Sequence, residues 1–167
     1  PIIEDCAWAF DSSEAYGTHG DYVFWSLPKA LNVCKGGLLF CRSLRGTVNT
    51  LNVVNVDEVC ATHLFSRIDT NVRKLCQISE CRQTMYDLLS KKATEQGIRV
   101  CFPPSQYDTF PSAFLFDISD VDDRNEFKSE MNRMGIESSC FYWSDAYFIP
   151  CHDRLSHLDI DYMIYMI

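Results

Sequence analysis

Hydrophobic positions fall into two kinds of pattern along this chain. Over the first forty residues they form short unbroken runs. Ile2-Ile3 leads into Glu4-Asp5, Tyr22-Val23-Phe24-Trp25-Ser26 follows a loop, and Leu38-Leu39-Phe40-Cys41 follows Gly36-Gly37. Runs of this length, rich in aromatic and β-branched residues, predict strands. Their being continuous rather than alternating suits a sheet covered on both faces. Asp11-Ser12-Ser13 and Gly17-Thr18-His19-Gly20 are loop chemistry between them. From Ser43 to about Ser79 no clear period emerges, and the Asn- and Val-rich stretch Thr47–Val59 predicts nothing firm.

From Glu80 the period lengthens. Cys81, Met85, Leu88 and Leu89 fall at i, i+4, i+7 and i+8, one face of a helix that Gly97 is placed to end. Strands are predicted at Ile98–Phe102 and Ser112–Asp117, with Pro103-Pro104 opening the loop between them. A helix from about Val121 to Met134 buries Phe127, Met131 and Met134 and stops at Gly135. Two short strands, Ser138–Tyr142 and Tyr147–Ile149, come next. Ser156 and Asp159 have capping-box spacing ahead of a last helix carrying Ile160, Met163, Ile164 and Ile167.

This order is α/β throughout. Residues 76–167 read as a small α+β domain able to form its own core. Residues 1–75 read as part of a larger domain with a mostly parallel sheet, because the first strands alone leave unpaired edges and an uncovered face. A chain that opens on a core strand, with no initiator Met, is expected to be cut from something longer.

Composition narrows the function classes. Apolar residues at 47% and charged residues at 23% are ordinary for a folded protein. A net charge of -8 argues against a nucleic-acid polymer as partner, since such proteins need a basic face. No stretch approaches the roughly 18 apolar residues of a membrane helix. Nine cysteines, an odd number at irregular spacing, favour free thiols in a reducing, cytoplasmic setting, most of them as small buried apolar groups. No C-x-x-C pair occurs, and Cys76 to Cys81 is the nearest to a ligand spacing, so no metal centre is expected.

Three segments in order carry a resemblance: Ile2-Ile3-Glu4-Asp5-Cys6-Ala7, then Gly20-Asp21 through Ser26 to Lys29 with Gly36-Gly37, then Ile149-Pro150-Cys151-His152 running to Asp161. Together they resemble the sugar-nucleotide aminotransferases of the fold-type I pyridoxal-phosphate (PLP) superfamily, over what would be the C-terminal portion. The resemblance implies that Lys29 forms a Schiff base with PLP and that Asp5 faces the pyridine nitrogen, keeping the ring an electron sink. It implies Ser26 as a hydroxyl donor to the cofactor phosphate. An amino donor such as glutamate, a keto-sugar nucleotide acceptor and a homodimer with a shared site follow as implied partners.

Each residue also has a plainer reading. Lys29 after a Leu-Pro turn is a solvated lysine, Asp5 accepts turn amides or caps a helix, and His152 and His157 serve packing and capping. Tyr22, Phe24 and Trp25 are core or interface aromatics. The resemblance implies Trp8 as a further cofactor-binding residue, near the ring hydroxyl, but there the family commonly has His or Gln, and an indole has one donor and no acceptor. Cys34-Lys35 also departs from the usual residues before Gly-Gly. The family's phosphate-cradling loop lies ahead of the segment matching Asp5. Two rival readings therefore stand beside the enzyme: a truncated, non-catalytic relative that folds or dimerises, and an unrelated α/β binding module.

Overall fold

Three strands organise the first part of the chain: β1 (Ile3–Asp5), β2 (Tyr22–Ser26) and β3 (Gly37–Cys41), in the order β1-β2-β3. The computed structural model describes residues 1–10, 17–31, 33, 35–42, 58–103, 111–141 and 144–167. It divides into two units, Pro1–Cys76 and Gln77–Ile167.

In the first unit β1 runs parallel to β2, and β2 pairs antiparallel with β3. The mostly parallel sheet expected is thus parallel in one of its two pairs. Residues 27–36 explain the other: they are too few for a parallel crossover, which takes a dozen or more. That connection holds α1 (Leu27–Ala30), a single turn with Pro28 at its start, where a missing N–H costs nothing. Leu27, Ala30, Leu31 and Val33 are buried together, with Phe10, Leu64, Ile68 and Leu75 packed against them.

Leu64 and Ile68 lie on α2 (Glu58–Val72), a helix inside the stretch that predicted nothing firm. Its Thr62, Ile68, Thr70 and Val72 are weak helix formers, so its sequence signal is faint, and packing on α1 supplies what propensity lacks. The rest of that stretch, residues 43–57, lies outside the described residues. The sheet itself is less covered than its apolar runs imply. Leu38, Leu39 and Phe40 are 45%, 56% and 50% exposed, and Ile2 and Ile3 are exposed as well.

The second unit contains α3 (Leu75–Glu95, beginning just ahead of it), β4 (Ala113–Asp117), α4 (Arg124–Arg133), β5 (Ser139–Phe141), β6 (Ala146–Pro150) and α5 (His157–Met166). Its sheet is antiparallel, in the order β4-β6-β5. Phe114 and Phe116 alternate inward from β4 to meet Tyr147 and Ile149 of β6, and Leu89, Met131, Ile160 and Met163 close over them from three helices. Phe127 packs edge-on against Tyr147, their centroids 4.9 Å apart.

Several boundaries differ from expectation. α3 starts earlier than Glu80, and its buried stripe is Ile78, Arg82, Tyr86, Leu89 and Ala93; of the predicted Cys81, Met85, Leu88 and Leu89 face, Leu89 is fully buried and Met85 and Leu88 flank the core half-buried. The strand predicted at Ile98–Phe102 is a single bridge, Val100 to Phe116. Cys101 N–H donates to the Leu115 carbonyl, and Pro103, with no N–H, cannot extend the ladder. α4 begins at Arg124 because the Asp123 carboxylate accepts from the Asn125 and Glu126 N–H groups. Gly135 ends it with φ of 82°. The capping box is present: the Ser156 hydroxyl accepts from Asp159 N–H, and the Asp159 carboxylate accepts from Ser156 N–H.

Among the described residues, the cysteines are free thiols. Cys6, Cys140 and Cys151 are buried, but Cys76 is exposed and Cys41, Cys81 and Cys101 are half-buried, so burial is less general than expected. No helix of the described residues is long and apolar enough to cross a membrane.

Candidate active site

The parallel pairing of β1 with β2 fixes which residues meet. Ile3, Glu4 and Asp5 lie opposite Tyr22, Val23 and Phe24, so both strands finish at the same end of the sheet. Asp5 is the last residue of β1, Ser26 the last of β2, and Lys29 lies in the turn of helix that follows. In open α/β sheets, ligands gather where parallel strands end.

After Asp5 the chain turns sharply. Cys6 N–H extends the ladder to the Phe24 carbonyl, and Ala9 N–H closes a turn onto the Cys6 carbonyl. One Asp5 oxygen, Oδ1, accepts from Ala7 N–H at 2.9 Å, which is the turn-amide role of the plainer reading. The carboxylate is otherwise at the surface. The turn carries Trp8 to Lys29, whose Nζ stands 4.1 Å from the centroid of the indole ring.

Lys29 is held from behind. Leu27 and Ala30 are buried on either side of it, Leu27 N–H donates to the Gly36 carbonyl, and Leu31 N–H closes the turn onto Leu27. Gly36 adopts φ of 119°, a conformation side chains rarely take. Ser26 stands at the N-cap of α1 but makes no side-chain capping bond. Its hydroxyl is therefore not spent on the helix.

A second set of residues, which the sequence reading passed over, builds the wall behind this edge. Glu4 points to the face opposite Asp5, as neighbours in a strand must. Its Oε2 accepts from the N–H groups of His19 and Gly20, at 3.0 and 2.7 Å. The Gly20 bond, chiefly, holds the Glu4 carboxyl below its ordinary value. Arg42 donates from Nε to the Gly20 carbonyl and from Nη2 to that of Gly17, tying β3 to the same turn. Gly20 is needed there because a Cβ would sit 2.7 Å from Glu4 Cβ and from the Tyr22 carbonyl oxygen. Cys6, beside Glu4, has its thiol pushed up by burial and by that carboxylate. The sequence cue was present in two acids side by side, followed by a Gly-bounded loop.

The ending motif lies in the second unit. His152 is half-buried, its Nδ1 accepts from Arg154 N–H, and burial lowers its pKa. His157 opens α5. The Cys151 thiol is buried against the Arg82 carbonyl and pushed up to about 12 by burial.

No family model matches the sequence, and no curated protein is significantly similar to it. Solved structures do match in fold. The aminotransferase TlmJ from Streptoalloteichus hindustanus aligns over 99% of this chain and 57% of its own, with TM-score 0.69 and 17% identity. This chain shares its fold with part of that aminotransferase. A DegT/DnrJ/EryC1/StrS aminotransferase from Brucella abortus gives TM-score 0.62 at 17% identity, over 99% of this chain and 56% of that one. A Streptococcus pneumoniae protein, assigned as a sugar aminotransferase and solved in its PLP form, gives 0.63 at 14% identity, over 98% and 56%. The chain thus spans a little over half the length of these aminotransferases.

Proposed function

We propose that this chain is part of a PLP-dependent aminotransferase, with Lys29 as the amine that takes the cofactor. The observation that carries this reading is that β1 and β2 run parallel and end together, within a fold shared with aminotransferases, so that Asp5, Ser26 and the turn bearing Lys29 follow at one end of the pair. That donor set fits one side of PLP, with an anion for the pyridine nitrogen, a hydroxyl for the phosphate and an amine for the aldehyde. PLP, when bound, supplies a ring able to take up the electrons freed as a donor carbon loses its proton.

The chain's own residues have separate tasks. Asp5, steadied by its turn bond to Ala7, orients and keeps protonated the ring nitrogen that faces it. Lys29 would hold the cofactor and, when free, would carry a proton on its Nζ as general base and acid. Ser26 binds the phosphate. The Pro1–Cys76 unit is then a portion of the cofactor domain and Gln77–Ile167 the small domain. An amino acid such as glutamate would donate, a keto-sugar nucleotide would accept, and two copies in the cytoplasm would share the site.

The test is spectroscopic. Adding PLP to the intact protein is expected to give an imine absorbance that borohydride fixes onto Lys29, and Lys29→Ala to abolish it. Fixation on a different lysine would sink the site, and no fixation would sink the enzyme. A second reading, a non-catalytic relative of the same fold, is favoured by Trp8, whose indole has no acceptor for a ring hydroxyl. Absence of fixation in the intact protein is the outcome that selects it.

A further inference from the structure

We infer that Trp8 is a positioning residue that rests the Lys29 ammonium on its indole face, an inference that depends on the functional reading above for its purpose and not for its geometry. A cation within about 6 Å of an indole centroid is attracted by the negative ring face. Here the separation is 4.1 Å. Both ends of the contact are fixed by backbone. The Cys6–Ala9 turn, with Asp5 bonded to Ala7, carries Trp8. Buried Leu27 and Ala30 anchor the helical turn that carries Lys29.

The consequence for the amine is specific. A lysine stem has four flexible carbons, and the indole confines its end to the strand edge where Asp5 and Ser26 finish. The face attracts the ammonium and offers no comparable hold on the neutral amine. An amine that sheds its proton leaves the ring with its lone pair available. It attacks a carbonyl carbon, a C–N bond forms, and the two amine hydrogens leave with the carbonyl oxygen as water, so that C=N replaces C=O. Trp8 therefore keeps the Lys29 ammonium in place and covers it on one side.

Reductive methylation with formaldehyde and cyanoborohydride, read by mass spectrometry on the intact protein, tests this without PLP. Lys29 modification is normalised to that of Lys91 in the same sample. Trp8→Leu is expected to raise Lys29 modification about two- to fivefold, the range of an exposed cation–π contact, with Trp8→Phe close to wild type. Equal or reduced reactivity in Trp8→Leu overturns the inference. As a second measurement, the Trp8 indole N–H resonance, assigned with Trp8→Phe, is expected to move in Lys29→Met and stay put in Lys91→Met. A resonance indifferent to Lys29→Met also overturns it. Failure of PLP to fix on Lys29 would remove the functional reading alone and leave these two results standing.

Discussion

The two units bury their apolar residues to different extents. In Gln77–Ile167 the large side chains Phe114, Phe116, Tyr147, Ile149 and Ile160 are sealed between a sheet and three helices. Among the described residues of Pro1–Cys76 the buried cluster is four residues around α1, while three consecutive side chains of β3 are about half exposed. The antiparallel sheet of the second unit is covered by helices of that same unit. A sheet begun by a parallel pair has edges and faces that only more distant elements cover. The candidate chemistry sits in the open unit, and the stability sits in the closed one.

That contrast can be broken most directly by two substitutions in the 167-residue chain. Leu89→Ala is expected to cost about 2–5 kcal/mol in a urea melt, because the side chain is fully buried. Leu39→Ser is expected to stay within about 0.5 kcal/mol. Comparable losses would erase the distinction. Next in size, Gly20→Ala is expected to cost about 1–3 kcal/mol through its clash with Glu4. Hydrogen exchange should then quicken at Asp21 and Tyr22, whose N–H groups donate to Ile2, and leave the Phe114–Phe116 amides unchanged. Tyr147→Phe should cost about 1 kcal/mol, by removing the buried bond between its hydroxyl and that of Ser138.

A further effect appears only under alkaline conditions. Burial pushes Tyr86 from an ordinary 10.0 and Cys151 from 9.0, each to about 12. Both stay protonated in the fold at a pH where the unfolded chain has ionised. Their stabilisation is complete below pH 9 and is lost as pH climbs toward 12. Thermal melts across that window should fall for the second unit, and Tyr86→Phe should flatten the decline above pH 10.

What the sequence made legible follows the same division. Ser156 and the glycines 97 and 135 made helix ends readable because they act locally, through bonds or backbone conformations that need no distant partner, whereas the Asp123 cap that starts α4 was missed. The strands were readable as apolar runs, but the direction of β3 was decided by the shortness of the 27–36 connection. Helix α2 escaped because its β-branched residues carry little intrinsic preference and its reason to be helical is a contact with α1. The buried stripe of α3 was hidden by Arg82, a charged residue that is 3% exposed and that no apolar period would count as core. At the candidate site, the motif resemblance proposed Asp5, Ser26 and Lys29, and the β1 and β2 strand ends that carry them lie at one end of the pair. The Trp8 contact was not legible, since a cation over a ring has no sequence period, and the restraint imposed by Glu4 and Arg42 was visible only once the turn at residues 17–20 was folded.

Glu4 and Asp5 also give a way to read this protein's history. The two acids are adjacent, yet one carboxylate faces the Gly17–Gly20 turn and the other lies toward the strand-end edge. Selection for folding alone would retain Glu4 and let Asp5 drift to any residue that tolerates the turn. Selection for catalysis would retain both. A collection of descendants compared at these two positions would therefore separate a lineage that kept its reaction from one that kept only its shape.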